Sequence, residues 1–435
     1  MPNRTALLAA LTLLAGPALT LAQAKEAPRA DDEATCVACH QRTTPAIVSD
    51  WKLSKHSQAG VSCDTCHGTG HHSKDDVDRV KLPTPDTCGQ CHGAQVEQFK
   101  RSKHALAWAA MKAMPTFHYQ PMALMEGMKG CGGCHKLGLK SEAEVRDIRK
   151  ASGTTSSFGN ASCDACHTRH SFSLAEARSP QACQTCHMGF DHPQWEMYSG
   201  SKHGVRQELK QKGVLPRDAA APTCQTCHMQ QGDHDVRTAW GFLAVRLPMP
   251  EDERWAADRA TILQGLGVLD PQGKPTARLD VVKAAQVARL TQEEWQQQRD
   301  RTIATCNQCH SRNFAEAELA KGDDLIRAAD HLMAEAIRTV AALYQDGVLR
   351  KPRDYAHAFP DLLTFHDAPT VPEQKLFVMF LEHRMRAFQG AFHANPDYAL
   401  WYGWSEMVRD LAEIKEAAAD LRERAHRPAK KAARK

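Results

Sequence analysis

The sequence predicts a mainly α protein with little β structure, built in two unlike parts. Three observations carry that expectation. The first is a Cys-x-x-Cys-His motif that occurs eight times, from Cys36 to His310, and takes in all 16 cysteines. The second is the chain between the motifs. It is rich in turns such as Gly68-Thr-Gly70 and Pro83-Thr-Pro85, and the motifs recur at no fixed period, which excludes a solenoid. The third is the cysteine-free stretch after the last motif, where Leu325, Ala328, Leu332, Ala336 and Val340 recur at helical spacing.

Each motif is a c-type haem attachment signature. The two thiols add to the haem vinyl groups and the adjacent histidine becomes the proximal iron ligand. The cysteine pairs are Cys36/Cys39, Cys63/Cys66, Cys88/Cys91, Cys131/Cys134, Cys163/Cys166, Cys183/Cys186, Cys224/Cys227 and Cys306/Cys309. The proximal histidines are His40, His67, His92, His135, His167, His187, His228 and His310. Paired cysteines can also hold zinc or form disulfides, but neither needs a histidine directly after every second cysteine. The fold expected is therefore a multihaem cytochrome c. A haem-packed region over 25–312 precedes a bundle of long helices over 313–426.

Residues 1–24 read as a targeting segment. Arg4 gives a positive start, Ala6–Ala15 is a short apolar run, and Ala22-Gln23-Ala24 has the small-x-small pattern of a cleavage site. The apolar run is too short to span a bilayer, and no later stretch reaches about 18 apolar residues. A soluble periplasmic protein is expected. Aromatic residues are only 6% and hydrophobic residues 42%, so eight porphyrins would supply much of the interior. The formal charge of +4 is misleading. Loss of Arg4 and the gain of roughly sixteen propionates, offset by the ferric porphyrin cores, bring the oxidised holoprotein to about −5. A nucleic-acid partner is excluded on that ground, and residues 427–435 read as a solvated basic tail.

Second iron ligands are sought among the remaining histidines. Trp51-Lys-Leu-Ser-Lys-His56, Phe99-Lys-Arg-Ser-Lys-His104 and Tyr198-Ser-Gly-Ser-Lys-His203 share Ser-Lys-His after an aromatic residue, as though three ligands were presented from similar helix ends. If seven haems take a second histidine and one does not, seven are needed. Setting aside His234 and one of the adjacent pair His71/His72 leaves His56, His72, His104, His118, His170, His192 and His203.

Beyond residue 312 three long helices are expected: 315–346, then 371–393 opened by Pro372, then a third begun by Asn395-Pro-Asp397 and running to about residue 424. Pro352 and Pro360 mark the break between the first two. Residues 248–298 also look helical, with a turn at Asp270-Pro-Gln-Gly273.

Several stretches resemble the octahaem hydroxylamine oxidoreductase family. They are Cys163-Asp-Ala-Cys-His-Thr-Arg-His-Ser-Phe172, Cys183-Gln-Thr-Cys-His-Met188, Asp191-His-Pro193, Ser201-Lys-His-Gly204, Cys224-Gln-Thr-Cys-His-Met229 and Asn395-Pro-Asp-Tyr-Ala-Leu-Trp-Tyr-Gly403. The resemblance implies that the fourth haem, on Cys131, Cys134 and His135, is catalytic and the others are bis-histidine carriers. Gly132 and Gly133 add no side-chain bulk there. It also implies an Asp-His pair above the active iron, assigned to Asp233-His234, in which the imidazole accepts protons and the carboxylate orients it. A tyrosine cross-linked to the active porphyrin from a neighbouring subunit is implied too, with Tyr398 or Tyr402 as the candidates and a homotrimer as the assembly.

On this reading an enzyme oxidises hydroxylamine to nitric oxide or nitrite, or hydrazine in its place, at an open haem. Electrons leave through seven bis-histidine haems to a cytochrome c. Multi-electron oxidation needs such a sink, and axial ligands and surroundings can spread haem potentials over about 0.8 V. A nitrite or hydroxylamine reductase on the same scaffold and a non-catalytic conduit are the alternatives.

Overall fold

The structure is a computed structural model that describes residues 30–112, 131–152, 162–189, 192–241, 243–284, 288–351, 357–364 and 368–427. The targeting segment, His118, Asp191 and the tail beyond Arg427 lie outside these residues, as does the side chain of Cys131. The described residues are mainly helical. Among the described residues there is no strand, only an isolated bridge between Leu269 and Pro275. None of the described helices is long and apolar enough to cross a membrane.

The three long helices form as their periodicity requires. The first, Arg312–Gln345, starts on Ser311, whose hydroxyl accepts from Phe314 N at 3.3 Å. It buries Ile326, Met333, Ile337, Val340 and Leu343 completely. It stops at Gly347, whose φ of 69° closes the end while Val348 N donates back to Leu343 O at 2.9 Å. The second runs through Val371–Val378, Met379–Arg384 and Met385–Phe392, the third through Tyr398–Trp404 and Ser405–His426. Both contain π-helical turns that the periodicity did not reveal. Between these two helices side chains vanish at the crossings. A Cβ on Gly390 would lie 2.6 Å from Ala399 N, and one on Gly403 would lie 2.4 Å from Ala387 N.

The apolar core does not stop at residue 312, where a boundary was expected. Ile262, Leu263 and Leu266 of helix Glu253–Gly265 and its end, and Ile303 of helix Gln292–Cys306, belong to the same core as the bundle. Asp330, fully buried, fixes this junction. It accepts from Arg384 Nε at 2.9 Å and Nη2 at 2.6 Å, from Arg259 Nη1 at 3.1 Å and from Trp255 Nε1 at 2.9 Å. The guanidinium groups also reach backbone: Arg384 Nη1 donates to Leu243 O at 2.7 Å and Arg259 Nη1 to Ala244 O at 3.1 Å.

The region before residue 240 has little side-chain core of its own. Short helices carry the motifs, among them Cys63–His67, Cys131–His135 and Cys224–His228. The Ser-Lys-His repeat has a common cause. Ser54, Ser102 and Ser201 are all buried, and their hydroxyls accept from Ser57 N, Ala105 N and Gly204 N at 3.0, 3.3 and 3.2 Å. Each serine thus caps a turn in which the histidine stands two residues later. The bundle is keyed to this region by two side chains. Gln389 Oε1 accepts from Gln194 Nε2 at 2.6 Å, and Asn395 Nδ2 donates to Met197 O at 2.9 Å.

Candidate functional site

Every motif histidine faces a second imidazole. The ring-centroid separations are 6.1 Å for His40–His71, 6.2 Å for His67–His170, 6.0 Å for His92–His56 and 6.1 Å for His135–His192. They are 6.3 Å for His167–His234, 6.1 Å for His187–His104, 6.4 Å for His228–His393 and 6.2 Å for His310–His203. Rings so spaced do not touch. An imidazole nitrogen lies about 2 Å from a first-row metal, so two imidazoles on one iron, with their own radii added, stand about 6 Å apart.

Hydrogen bonds select the ring nitrogen left for iron. His135 Nδ1 donates to Ala107 O at 3.0 Å, His67 Nδ1 to Lys81 O at 3.1 Å and His393 Nδ1 to Gln389 O at 2.8 Å. His71 Nδ1 meets Asp76 Oδ1 at 2.9 Å, and His187 Nδ1 meets Gln194 Oε1 at 3.2 Å. Nε2 is then the lone-pair nitrogen. Burial pushes His187 down to about 3 and His170 and His228 down to about 4, with the neighbouring histidines adding to it, so these rings stay neutral and able to ligate. The space among the rings is one largely apolar cavity of about 3770 Å³, several times the roughly 300–1,000 Å³ of a small-molecule pocket. Paired neutral imidazoles, adjacent thiols and apolar space of this size fit covalent haem.

Two attachment cysteines stand apart from the others. Cys39 and Cys309, the second thiols of the first and last motifs, are exposed and do not line the cavity. Every other attachment cysteine whose side chain is described does line it, including the exposed Cys91 and Cys227. Cys39 and Cys309 both belong to motifs that adjoin another motif on one side only among the described residues. Cys39 sits on the helix Ala30–Thr43, and Cys309 in the turn between Gln292–Cys306 and Arg312–Gln345. Their companions Cys36 and Cys306 do face the cavity. Cys39 and Cys309 thus stand at the solvent edges of the cavity.

Several ligand placements also change. His56, His104, His170 and His203 face motif histidines, as anticipated. His71, not His72, faces His40; the ring bond to Asp76 orients it, while His72 is exposed. His234 faces His167 of the fifth motif, so the Asp233-His234 pair is not above the fourth. The ring facing His135 is His192, from the other Asp-His pair, and it also stands 5.9 Å from His187. His393, just after the second bundle helix, faces His228 and was not among the seven histidines singled out. Tyr398 and Tyr402 lie against each other at 4.9 Å, and neither lines the cavity.

The sulfurs show how the motifs adjoin. Cys88 lies beside Cys163, Cys183 beside Cys224, and Cys186 beside Cys134. Cys66 is close enough to interact with Cys88, Cys166 with Cys183, and Cys227 with Cys306. His40 likewise interacts with His67. The motifs thus form a line in the order first, second, third, fifth, sixth, seventh, eighth. By its sulfur the fourth joins that line at the sixth.

Charge gathers beside the fourth motif. Lys136, Lys140 and Arg169 line the cavity there, against Asp164 and Glu144. Burial pushes Lys140 down to about 8, and its ammonium lies 5.1 Å from the Trp108 ring centre. Arg169 Nη1 is 3.4 Å from the Asp164 carboxylate, whose Oδ1 is buried without a hydrogen bond.

Facing imidazoles, paired thiols and a helical scaffold define a multihaem c-type cytochrome. The chain belongs to the family described as seven times multi-haem cytochrome CxxCH, whose model matches residues 59–245 and 276–354. A second model, cytochrome c554 and c-prime, matches residues 16–68. The chain is 27% identical over 479 residues to a probable nitrite reductase-hydroxylamine oxidoreductase fusion protein of Kuenenia stuttgartiensis, covering 89% of this chain and 51% of that protein. It is 27% identical over 241 residues to the multiheme cytochrome MtrA of Shewanella baltica, covering 49% of this chain and 61% of that one. The chain therefore spans only part of the length of the curated relatives it matches. Among solved structures, a Kuenenia stuttgartiensis reducing HAO-like protein complex superposes with a TM-score of 0.68 at 25% identity, over 91% of this chain and 86% of that one. A hypothetical multiheme protein superposes with a TM-score of 0.60 at 22% identity, over 90% and 96%, and shares the fold. The resemblance drawn from the motifs stands, and so does the mainly helical fold.

Proposed function

We propose that the chain is an oxidoreductase with eight covalent haems, in which a small nitrogenous substrate reacts at the haem held by Cys131, Cys134 and His135. The supporting observation is the branch: seven motifs form a continuous line, and the fourth is joined to it at the sixth by Cys134 and Cys186. A side branch lets substrate reach iron without interrupting conduction. Bound haem supplies the iron that substrate coordinates and the path for its electrons. The Ala107 carbonyl fixes the His135 ring so that its other nitrogen serves as the proximal ligand. His192, on the opposite side, holds or delivers protons at a ring nitrogen.

Hydroxylamine oxidation is the direction expected from the sequence, with hydrazine as a related substrate. Two observations favour the reverse direction, reduction of nitrite or hydroxylamine. Lys136, Lys140 and Arg169 suit an anion better than neutral hydroxylamine. The solved relative is described as reducing. The oxidative reading has its own support: Trp401 and Tyr402 are 62% and 49% exposed, a face free for a second copy in a trimer. A pure conduit is the remaining reading, since every motif histidine has a facing ring. Whichever holds, a periplasmic cytochrome c is the proposed redox partner. Cys39 and Cys309 mark the two ends of the line where a haem edge would meet solvent, and hence that partner.

The experiment uses the purified holoprotein. Intact mass gives eight haems, and the ferric spectrum contains a high-spin component that hydroxylamine or nitrite perturbs. Nitrite is consumed with reduced viologen faster than hydroxylamine is oxidised with a cytochrome acceptor. A fully low-spin ferric spectrum, unaltered by either substrate, excludes both enzymatic readings and leaves the conduit.

A further inference from the structure

Arg246 is 3% exposed, yet its Nε is buried with no hydrogen-bond partner. It lines the haem cavity, and the backbone makes room for it. Gly241 has a φ of +67°, and a Cβ there would lie 2.4 Å from Arg246 Cδ. The segment bearing it is pinned by Arg289 N to Val245 O at 3.0 Å and Leu290 N to Arg246 O at 2.7 Å. One guanidinium donor is used by Thr238 O. The site is therefore built rather than incidental.

Two further cations adjoin it. Lys103 and Arg237 both interact with Arg246. The carboxylates facing the group are Asp235, which holds Arg237 Nε at 2.6 Å, and Glu294, an exposed residue whose carboxylate caps its helix by accepting from Thr291 N at 2.9 Å. Arg246 thus stands beside two other basic groups at the wall of an apolar cavity, with Asp235 and the helix-capping Glu294 as its facing carboxylates. A buried charge in such surroundings requires a counter-charge. The position says which. Lys103 precedes His104, which faces His187, and Asp235 follows His234, which faces His167. Lys103 N donates to Val236 O at 3.0 Å, so the two facing histidines are tied together at this point.

We propose that Arg246, flanked by Lys103 and Arg237, seats a propionate of the haem held between His167 and His234 or of the one held between His187 and His104. The carboxylate meets the edge of the guanidinium that lines the cavity, and the guanidinium cancels the propionate's charge near iron. A cation there favours the reduced, less positive haem, so the cluster raises the potential of one step on the line between the third and seventh haems. The proposal rests on haem occupancy alone and is independent of the direction of catalysis.

The test is a spectroelectrochemical titration of the holoprotein and its Arg246→Gln and Arg246→Lys variants. Arg246→Gln keeps its haems but lowers one component's midpoint by about a tenfold change in its reduction equilibrium, about 59 mV for one electron. Arg246→Lys restores most of that. Superimposable titrations for wild type and Arg246→Gln, at equal haem content, overturn the proposal. Should Arg246→Gln fail to mature, a holoprotein crystal structure decides. A propionate oxygen of either haem on Arg246 upholds the proposal and tells which haem it is, whereas a propionate-free Arg246 with only Asp235, Glu294 or an inorganic anion overturns it.

Discussion

The imidazole of His192 stands 6.1 Å from that of His135, with the two ring planes nearly perpendicular at 79°. The same ring is 5.9 Å from His187 at 72°. His192 is thus shared between the fourth motif and the sixth, where His187 already has its own partner in His104. A shared imidazole is better suited to moving protons than to serving as a dedicated iron ligand. On this basis His192→Ala retains all eight haems and a high-spin ferric signal already present in the wild type, while turnover falls by about 10²–10⁴-fold. A high-spin signal that arises only in the variant assigns His192 as a ligand instead.

His234 and His393 each face a carrier-haem histidine. Replacing either with alanine therefore opens one coordination position, visible as one new high-spin haem with unchanged haem mass. His72→Ala leaves the spectrum as it was, because His71 occupies the place opposite His40.

Tyr398→Phe and Tyr402→Phe preserve the aromatic ring, so the loss of stability stays below about 1.5 kcal/mol. On the reductive reading neither alters the haem spectrum nor the rate of nitrite reduction. Loss of a modified-haem absorption band in one of them, together with loss of hydroxylamine oxidation, restores the oxidative reading.

Lys140 gives a pH dependence. Its ammonium is the charged form and burial holds its pKa near 8, so the cation is present below that pH and is lost as pH rises through it. KM for nitrite therefore rises above about pH 8 with kcat little changed, whereas Lys140→Gln shows a high KM at every pH. A KM that stays level from pH 7 to 9 in the wild type counts against an anion drawn by this lysine.

Asp330→Ala leaves Arg259 and Arg384 buried with no carboxylate between them. Breaking a buried network this way destabilises by about 3–5 kcal/mol. The check is a large drop in the thermal midpoint followed by circular dichroism, with haem content unaltered.

What the sequence made legible follows from how local each signal is. The motifs, the Ser-Lys-His caps and the apolar periodicity of residues 312–345 are contained within a few turns of chain, and all were readable. Which histidine faces which haem is not local. Asp191-His192 and Asp233-His234 are alike in sequence, and only the fold sets His192 against His135 and His234 against His167. His393 was missed because it lies in the bundle, beyond the last motif; its place one turn after Gln389, which itself meets Gln194, is a tertiary fact. His71 and His72 differ only in which one Asp76 holds by its ring. The π-helical turns escaped because apolar spacing is insensitive to one extra residue in a turn.

His228 meets its facing ring only at His393, far along the chain at the end of the second bundle helix. On the proposed eight-haem reading, the seventh haem has both thiols and its proximal histidine within residues 224–228, well before that helix in the chain. Until then one side of its iron remains open to peroxide, cyanide or a stray histidine such as His72. Docking of the bundle is therefore the step that closes the last reactive iron on the electron line. On that reading a chain halted before residue 393 is expected to carry the same haem mass as the finished protein but one more high-spin haem, open to peroxide.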